Sequence, residues 1–276
     1  MKNKFFYYCS PLIYPVMPEA SGTTVIKLDF AAIIMNHVPE NMDELEDTEV
    51  DVEIDVFYEG ENKSTKKFKI EIKNQKISPR YFEEKYVLPG YGYVQVSLFA
   101  GKPYFSKIET EKGYALLVGE KSIISTILPQ SKYSEPLIIG NMKTTGTFNL
   151  VNPGHFIDSQ SDISNSALLI NPYDGPIVAN AISDKGKKIR KKIPGKSAVM
   201  IPLAEIVPEK LPTCVLYSGS NRYTGWDIRH SANDINKITN IDHLEYFRAI
   251  PTYKDQSIFQ IIKFIGKKIA RNFNRF

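Results

Sequence analysis

The chain has 276 residues, 42% hydrophobic and 24% charged, with 35 cations against 31 acids for a net charge of +4. At roughly 100–200 residues per domain this is one large domain or two small ones, and the apolar fraction excludes a disordered chain. Two cysteines exclude a disulfide scaffold, and no run reaches the ~18 apolar residues of a membrane span.

Lys2 and Lys4 precede an aromatic stretch, and Glu19-Ala20-Ser21-Gly22 has the small residues of a processing site. Pro11, Pro15 and Pro18 interrupt the apolar core that a signal peptide needs. The start therefore reads as a strand, Phe5 to Cys9, followed by a Pro-studded edge segment. Val50 to Val56 alternates, with Val50, Val52, Ile54 and Val56 on one face and Asp51, Glu53 and Asp55 on the other, as a half-buried antiparallel strand does. The turn Glu59-Gly60-Glu61-Asn62 leads into Lys67 to Lys73, where Phe68, Ile70 and Ile72 alternate with Lys67, Lys69, Glu71 and Lys73. Paired as a hairpin, the two place an acidic outer face against a mostly basic one, which favours one register. The alternate acids read as a solvated face rather than a calcium site.

Further strand-like runs are Tyr91 to Phe99, Tyr114 to Val118, Ser122 to Leu128, Leu137 to Ile139, Gly146 to Val151, Ser166 to Ile170, Ile177 to Ile182, Ser197 to Ile201 and Thr213 to Tyr217. Short strands at ~8–12-residue spacing with turn signals suggest a sandwich or barrel. The expected architecture is mostly β: an N-terminal sandwich over 1–128, a polar linker over 129–136, a second sandwich over 137–225, an irregular extension over 226–255, and a C-terminal amphipathic α-helix over 256–276. The two halves share a faint pattern. Gly60 and Gly186 each precede a Lys-rich run, and Val94 to Phe99 and Thr213 to Tyr217 each lead to an aromatic, Tyr104 or Tyr223. Such a pattern is that of a duplicated unit. Cys9 and Cys214 lie among apolar neighbours and read as buried thiols, with a disulfide between them as the alternative.

Ala167-Leu168-Leu169-Ile170-Asn171-Pro172, the run Ile177 to Ile182, Asp184-Lys185-Gly186 and Ile193-Pro194-Gly195-Lys196-Ser197 together resemble immunoglobulin-like accessory modules. In those modules a strand ending in Asn-Pro is followed by a Gly-turn hairpin and a Pro-Gly turn. The resemblance covers about 50 residues. It implies a β-sandwich fold and brings no catalytic residues.

Motifs for chemistry are few. Gly195-Lys196-Ser197 lacks the glycine that a phosphate-binding loop needs five residues before its lysine, and it precedes a strand rather than a helix. His37, His155, His230 and His243 show no zinc-ligand spacing, so neither a metal nor a cofactor is expected. The densest polar constellation is Trp226, Asp227, Arg229 and His230 with Asp242 and His243. It contains the lone Trp and an Asp–His pair that suits general-base chemistry. Tyr91 and Tyr93, between glycines, offer an aromatic platform for sugar rings. These eight residues form the candidate ligand site. No nucleophile motif such as Gly-x-Ser-x-Gly is present.

The C-terminal segment carries the clearest signal. At 100° per residue, Ile258, Ile262, Ile265, Ile269, Phe273 and Phe276 fall within about 80° of arc. Lys263, Lys267, Lys268, Arg271 and Arg275 lie opposite, and no acid occurs from residue 256 onward, which leaves −1 for residues 1–255. A basic face against an aliphatic-aromatic one suits a helix lying in an anionic membrane interface, at ~1 kcal/mol per cation. Docking on a protein partner is the competing use. Nucleic acid fits poorly, because the body carries no net positive charge.

The expected function is that of a non-catalytic binding or scaffolding protein in the cytoplasm, recruited to a membrane surface or a partner by residues 256–276. A glycan-binding or glycan-processing module with its site around Trp226–Glu245, and a secreted adhesin-like module, are the alternatives.

Overall fold

A computed structural model describes residues 6–7, 11–35, 47–100, 114–131, 147–151, 162–183, 188–203, 214–218, 223–243 and 246–248. The protein is mostly β. The first part of the chain contains β1 (Phe6–Tyr7), β2 (Leu12–Val16), β3 (Thr23–Asp29), β4 (Thr48–Tyr58), β5 (Glu61–Lys73), β6 (Lys76–Ser78), β7 (Tyr81–Tyr86), β8 (Gly92–Ala100), β9 (Tyr114–Val118), β10 (Ile123–Ile127) and β11 (Gln130–Ser131), with a short helix α1 (Phe30–Met35) after β3. The second contains β12 (Thr147–Val151), β13 (Ile163–Asn171), β14 (Ile177–Ser183), β15 (Lys188–Ile193), β16 (Ser197–Pro202), β17 (Cys214–Ser218), β18 (Thr224–Ser231), β19 (Asp234–His243) and β20 (Tyr246–Arg248).

The hairpin β4–β5 forms as its alternation requires. Val50 stands opposite Ile70, Asp51 opposite Lys69 and Glu53 opposite Lys67. The inward set Val50, Val52, Ile54, Ile70 and Ile72 is buried, while Lys67 pairs with Glu53 and Lys69 with Glu49 on the outer face. Glu59 (φ 52°) and Gly60 (φ 82°) close it. Both lie in the left-handed region that a two-residue type I′ turn needs.

Strand order reveals an internal repeat. In the first unit one sheet runs β11-β2-β8-β4-β5-β6 and the other β10-β9-β3-β7; in the second the sheets run β15-β14-β17-β12-β20 and β16-β13-β18-β19. Aligning β2–β5 with β12–β15 and β7–β11 with β16–β20 makes the two orders identical, with β6 and the short β1 as additional strands of the first unit among the described residues. The shared pattern noted in the sequence falls on equivalent strands: β4–β5 with β14–β15, and β8 with β17.

The units are fused. β13 and β18 pair from Ile163↔Ser231 to Ile170↔Thr224, and both faces of this pair are covered. Leu168, Ile170, Trp226 and Ile228 join the core of the first unit, along with Ile238 and Ile241 of β19. Ala167, Leu169 and Ile201 turn the other way, into a smaller core with Ile177, Ala179, Ala181 and Ile193. A strand buried on both faces reads as a continuous apolar run, and Ala167-Leu168-Leu169-Ile170 is one. Polar groups seal the seam. The Ile241 amide donates to Ser125 Oγ at 3.0 Å, and Trp226 Nε1 donates to the Leu128 carbonyl at 3.0 Å.

Several expectations need correction. The Pro-studded segment is not at an edge: β2 lies between β8 and β11, with Leu12, Ile13, Tyr14 and Val16 buried. Pro15, which lacks an amide hydrogen, is tolerated because β11 reaches only Leu12 and Ile13. The expected linker starts inside the first unit, since Gln130 and Ser131 form β11. The expected irregular extension over 226–255 is a regular strand pair across 226–243. Its Asn233-Asp234 punctuates a turn: the Asn233 amide donates to Ser231 Oγ at 3.3 Å and the Asn236 amide to Asp234 Oδ1 at 3.0 Å. β3 and β7 were not foreseen, because β7 (Tyr-Phe-Glu-Glu-Lys-Tyr) is rich in charge; Glu83 stands on its outer face and pairs with Lys27 at 2.8 Å. The amphipathic segment 256–276, Cys9 and the side chain of Cys214 lie outside the described residues, as does the expected strand Leu137 to Ile139.

Candidate functional site

Alternation along β18 splits the nominated residues between opposite faces. Trp226, Ile228 and His230 face the first unit; Asp227 and Arg229 face the second unit's inner core. Trp226 is fully buried, which corrects its expected role as a surface for a ligand. As the largest apolar side chain at the seam, it covers the end of the first core while its N–H finds a carbonyl, the usual requirement for a buried indole.

His230 is buried on the same face as Trp226, with Ile228 between them. Its Nδ1 lies 2.7 Å from the Ser231 carbonyl and its Nε2 2.8 Å from Ser166 Oγ. A carbonyl only accepts, so Nδ1 carries a proton, and in the neutral ring Nε2 then accepts from the Ser166 hydroxyl. A Ser–His hydrogen bond has the form of a nucleophile–base pair. Here Ser166 is fully buried and His230 nearly so, and the bond serves to satisfy two polar groups inside the seam. Nothing in the sequence singled out Ser166, which lies 64 residues from its partner.

On the opposite face, Asp227 sits opposite Asp242 and next but one to Arg229. Asn165 donates from Nδ2 to Asp227 Oδ1, and Arg229 Nε stands 4.0 Å from Oδ2. Only 15% of the Asp227 side chain is exposed. Burial pushes its carboxyl up to about 6; Arg229 and Asn165 oppose that rise, and Asp242 adds to it. A displaced carboxyl of this kind is a mark of functional sites and also of structural ion pairs. Asp242 is exposed and rims the cluster. His243 shares a rung with Trp226, its side chain lying outside the described residues.

The tyrosines belong to the first unit. Tyr93 is fully buried and stacks on Phe57, with ring centroids 4.9 Å apart and planes 19° from parallel. Tyr91 is half-buried with an enclosed hydroxyl. A sugar platform needs exposed rings, so Tyr93 is corrected to a core residue; β8 is an interior strand with residues 92–98 buried. Burial raises both phenols above the ordinary value. The eight nominated residues therefore do not converge. Asp227, Arg229 and Asp242 form one cluster, Trp226 and His230 lie behind it, and Tyr93 stands on a strand of the other unit with Tyr91 just before it.

Exposed aromatics are elsewhere. Tyr81 (66% exposed) and Tyr114 (42%) share the outer face of the β10-β9-β3-β7 sheet. They stand opposite Asp29 and Lys27 of β3, and Arg80 lies 4.9 Å over the Tyr81 ring. Among the described residues no group of three or more metal-ligating side chains occurs, and no helix is long and apolar enough to cross a membrane.

No protein-family model matches the chain, and no curated protein matches it. Among solved structures, a glycosyl hydrolase family 2 member from Bacteroides cellulosilyticus is similar at 10% identity and a TM-score of 0.14, over 87% of this chain and 26% of that one. The chain thus spans about a quarter of that protein's length, and the likeness is too slight to carry fold or function.

Proposed function

We propose that the protein is a non-catalytic binding or scaffolding protein: a fused body of two immunoglobulin-like sandwiches taken to an anionic membrane surface by its basic amphipathic segment 256–276. One observation carries the reading. The residues best suited to chemistry, Trp226, His230 and Ser166, are enclosed in the seam between the repeats, where they hold the body together. The immunoglobulin-like assignment rests on pairing. Numbering each repeat's strands from β2 or β12 and leaving out β6, the second strand pairs with the fifth and the third with the sixth, as B with E and C with F in immunoglobulin sandwiches. The test is co-sedimentation of the full chain and of a chain ending at residue 255 with anionic and neutral vesicles. Salt-sensitive binding of the full chain to anionic vesicles, lost in the shortened but folded chain, is expected. Equal sedimentation of both chains, or of neither, overturns membrane recruitment.

A second reading, glycan binding, is favoured by Tyr81 and Tyr114, exposed on one sheet face among the polar side chains Asp29, Lys27 and Glu83. Affinity electrophoresis in soluble polysaccharide gels tests it: retardation that disappears in Tyr81→Ala and Tyr114→Ala supports the reading, and unretarded wild-type protein removes it.

A further inference from the structure

The two repeats place a basic strand at the same position, and among the described residues only one of the two is neutralised. β5 carries Lys66, Lys67 and Lys69, and its equivalent β15 carries Arg190, Lys191 and Lys192. In the first repeat the cations are answered within the chain: Glu53 and Glu49 of β4 pair with Lys67 and Lys69, and Glu84 of β7 lies 3.0 Å from Lys66. The outer edge of β5 is also continued by β6, with Glu71 opposite Ser78 and Lys73 opposite Lys76.

Among the described residues the second repeat shows neither device. β14 sets Asn180 opposite Arg190, Ala179 opposite Lys191 and Val178 opposite Lys192. Arg190, Lys191 and Lys192 are all exposed, and no acid among the described residues pairs with them. β15 ends its sheet with no counterpart of β6, so its outer backbone edge has no strand beside it among the described residues.

We propose that the open edge of β15 docks an extended acidic segment of a partner protein, added as a further strand where the first repeat carries β6. Main-chain hydrogen bonds give such an addition its affinity, and side chains give its selectivity. The cations decide which strands are admitted. A second copy's β15 sets cation against cation. Lys191, at a position that faces inward opposite buried Ala179, repels apolar strands as edge lysines do. A strand with acids at alternate positions, ~6.8 Å apart, gains where those lose, and the chain already uses such a strand, β4, against β5.

The probe is a fluorescein-labelled peptide with the sequence of residues 48–56 (Thr-Glu-Val-Asp-Val-Glu-Ile-Asp-Val), titrated into the full chain by anisotropy. Binding is expected to weaken about tenfold or more when the peptide's acids are replaced by their amides, and likewise in the Arg190→Glu/Lys192→Glu variant. Arg190→Gln/Lys192→Gln, expected to weaken binding several-fold, is the companion should charge reversal disturb folding. Amide hydrogen exchange is expected to slow at residues 188–193 when the peptide binds. Equal affinity for the variants, or slowing at β5 in place of β15, overturns the proposal. So does competition by inorganic polyphosphate with no slowing at β15, which assigns the surface to polyanions.

Discussion

The indole N–H of Trp226, on the seventh strand of the second repeat, donates to the carbonyl of Leu128, at the end of the first repeat, across 3.0 Å. That bond and the buried ring beside it tie a strand of the second repeat into the core of the first. Trp226→Phe removes the donor and strands the Leu128 carbonyl, an expected loss of about 1–3 kcal/mol. Trp226→Ala opens the seam as well, for about 3–5 kcal/mol. Urea unfolding followed by circular dichroism checks both. The wild type is expected to unfold in one transition, and two separated transitions in wild-type protein would contradict the shared core. As the lone Trp, residue 226 also reports the seam directly through blue-shifted emission that iodide quenches poorly.

Asp227 sets a pH dependence of unusual sign. Its folded value of about 6 exceeds the ~3.9 of an unfolded aspartate. Between the two, the folded chain retains a proton that the unfolded chain has released, so stability falls as pH rises from about 4 to about 6 and stays lower above. Two units at ~1.4 kcal/mol each set an upper figure of about 3 kcal/mol. Asp227→Asn, neutral at every pH, is expected to lose this slope. Urea unfolding at pH 4.5 and 7.5 reads it: the wild type loses about 2 kcal/mol relative to the variant between those values, and parallel behaviour of the two proteins sinks the assignment.

Asp29 bends the profile the other way. Its Oδ1 accepts from the amides of Ala31 and Ala32 at 3.0 and 3.3 Å, capping α1, and Arg80 donates to both its oxygens at 3.2 and 3.1 Å. The Arg80 hydrogen bond, with the helix amides behind it, holds the carboxyl below its ordinary value. This stability is present above the unfolded value and is lost as pH falls through the lower folded one. Asp29→Ala is expected to cost about 1 kcal/mol at neutral pH through the lost cap, and its deficit shrinks as an acid titration passes below pH 4. A deficit that holds constant through that titration contradicts the role of the charge.

Gly195 allows a close backbone approach to the 173–174 turn. A Cβ there would stand 1.9 Å from the Asp174 carbonyl oxygen, and at Gly60 it would meet the Gly195 carbonyl oxygen at 3.2 Å. Backbone cannot move aside as a flexible side chain can. Gly195→Ala is therefore expected to destabilise by about 3 kcal/mol, the upper end for overpacking. Gly60→Ala, strained by its positive φ, is expected to lose about 1 kcal/mol. Thermal melts of the two variants rank them, and the reverse order would show that the 173–174 turn yields freely.

The hairpin β4–β5 was legible because one period of two and one charge pattern acted together on consecutive residues. The repeat was faintly legible, since lysine-rich strands recur at equivalent places while strand order is invisible in sequence. The strand pair around Trp226 was missed because its alternation is between two buried faces: Asp227 and Arg229 look solvated, yet they lie against the second core. The site fared worse for a related reason. A lone Trp amid histidines and carboxylates suggests a cleft, but those groups satisfy partners 60 to 100 residues away, Ser166, Asn165 and Leu128, which no local pattern identifies.

The doubly covered sheet of β13 and β18 also constrains how such a chain can change. Tandem repeats whose contacts are slight can be lost, multiplied or exchanged one at a time. Here the second copy lends a whole sheet face to its neighbour, so a recombination between them would strip Leu168, Ile170 and Trp226 of cover and open the first core to water. Substitutions at the seam must be matched from the other copy. The two units therefore vary under one constraint, each holding the other's cover in place.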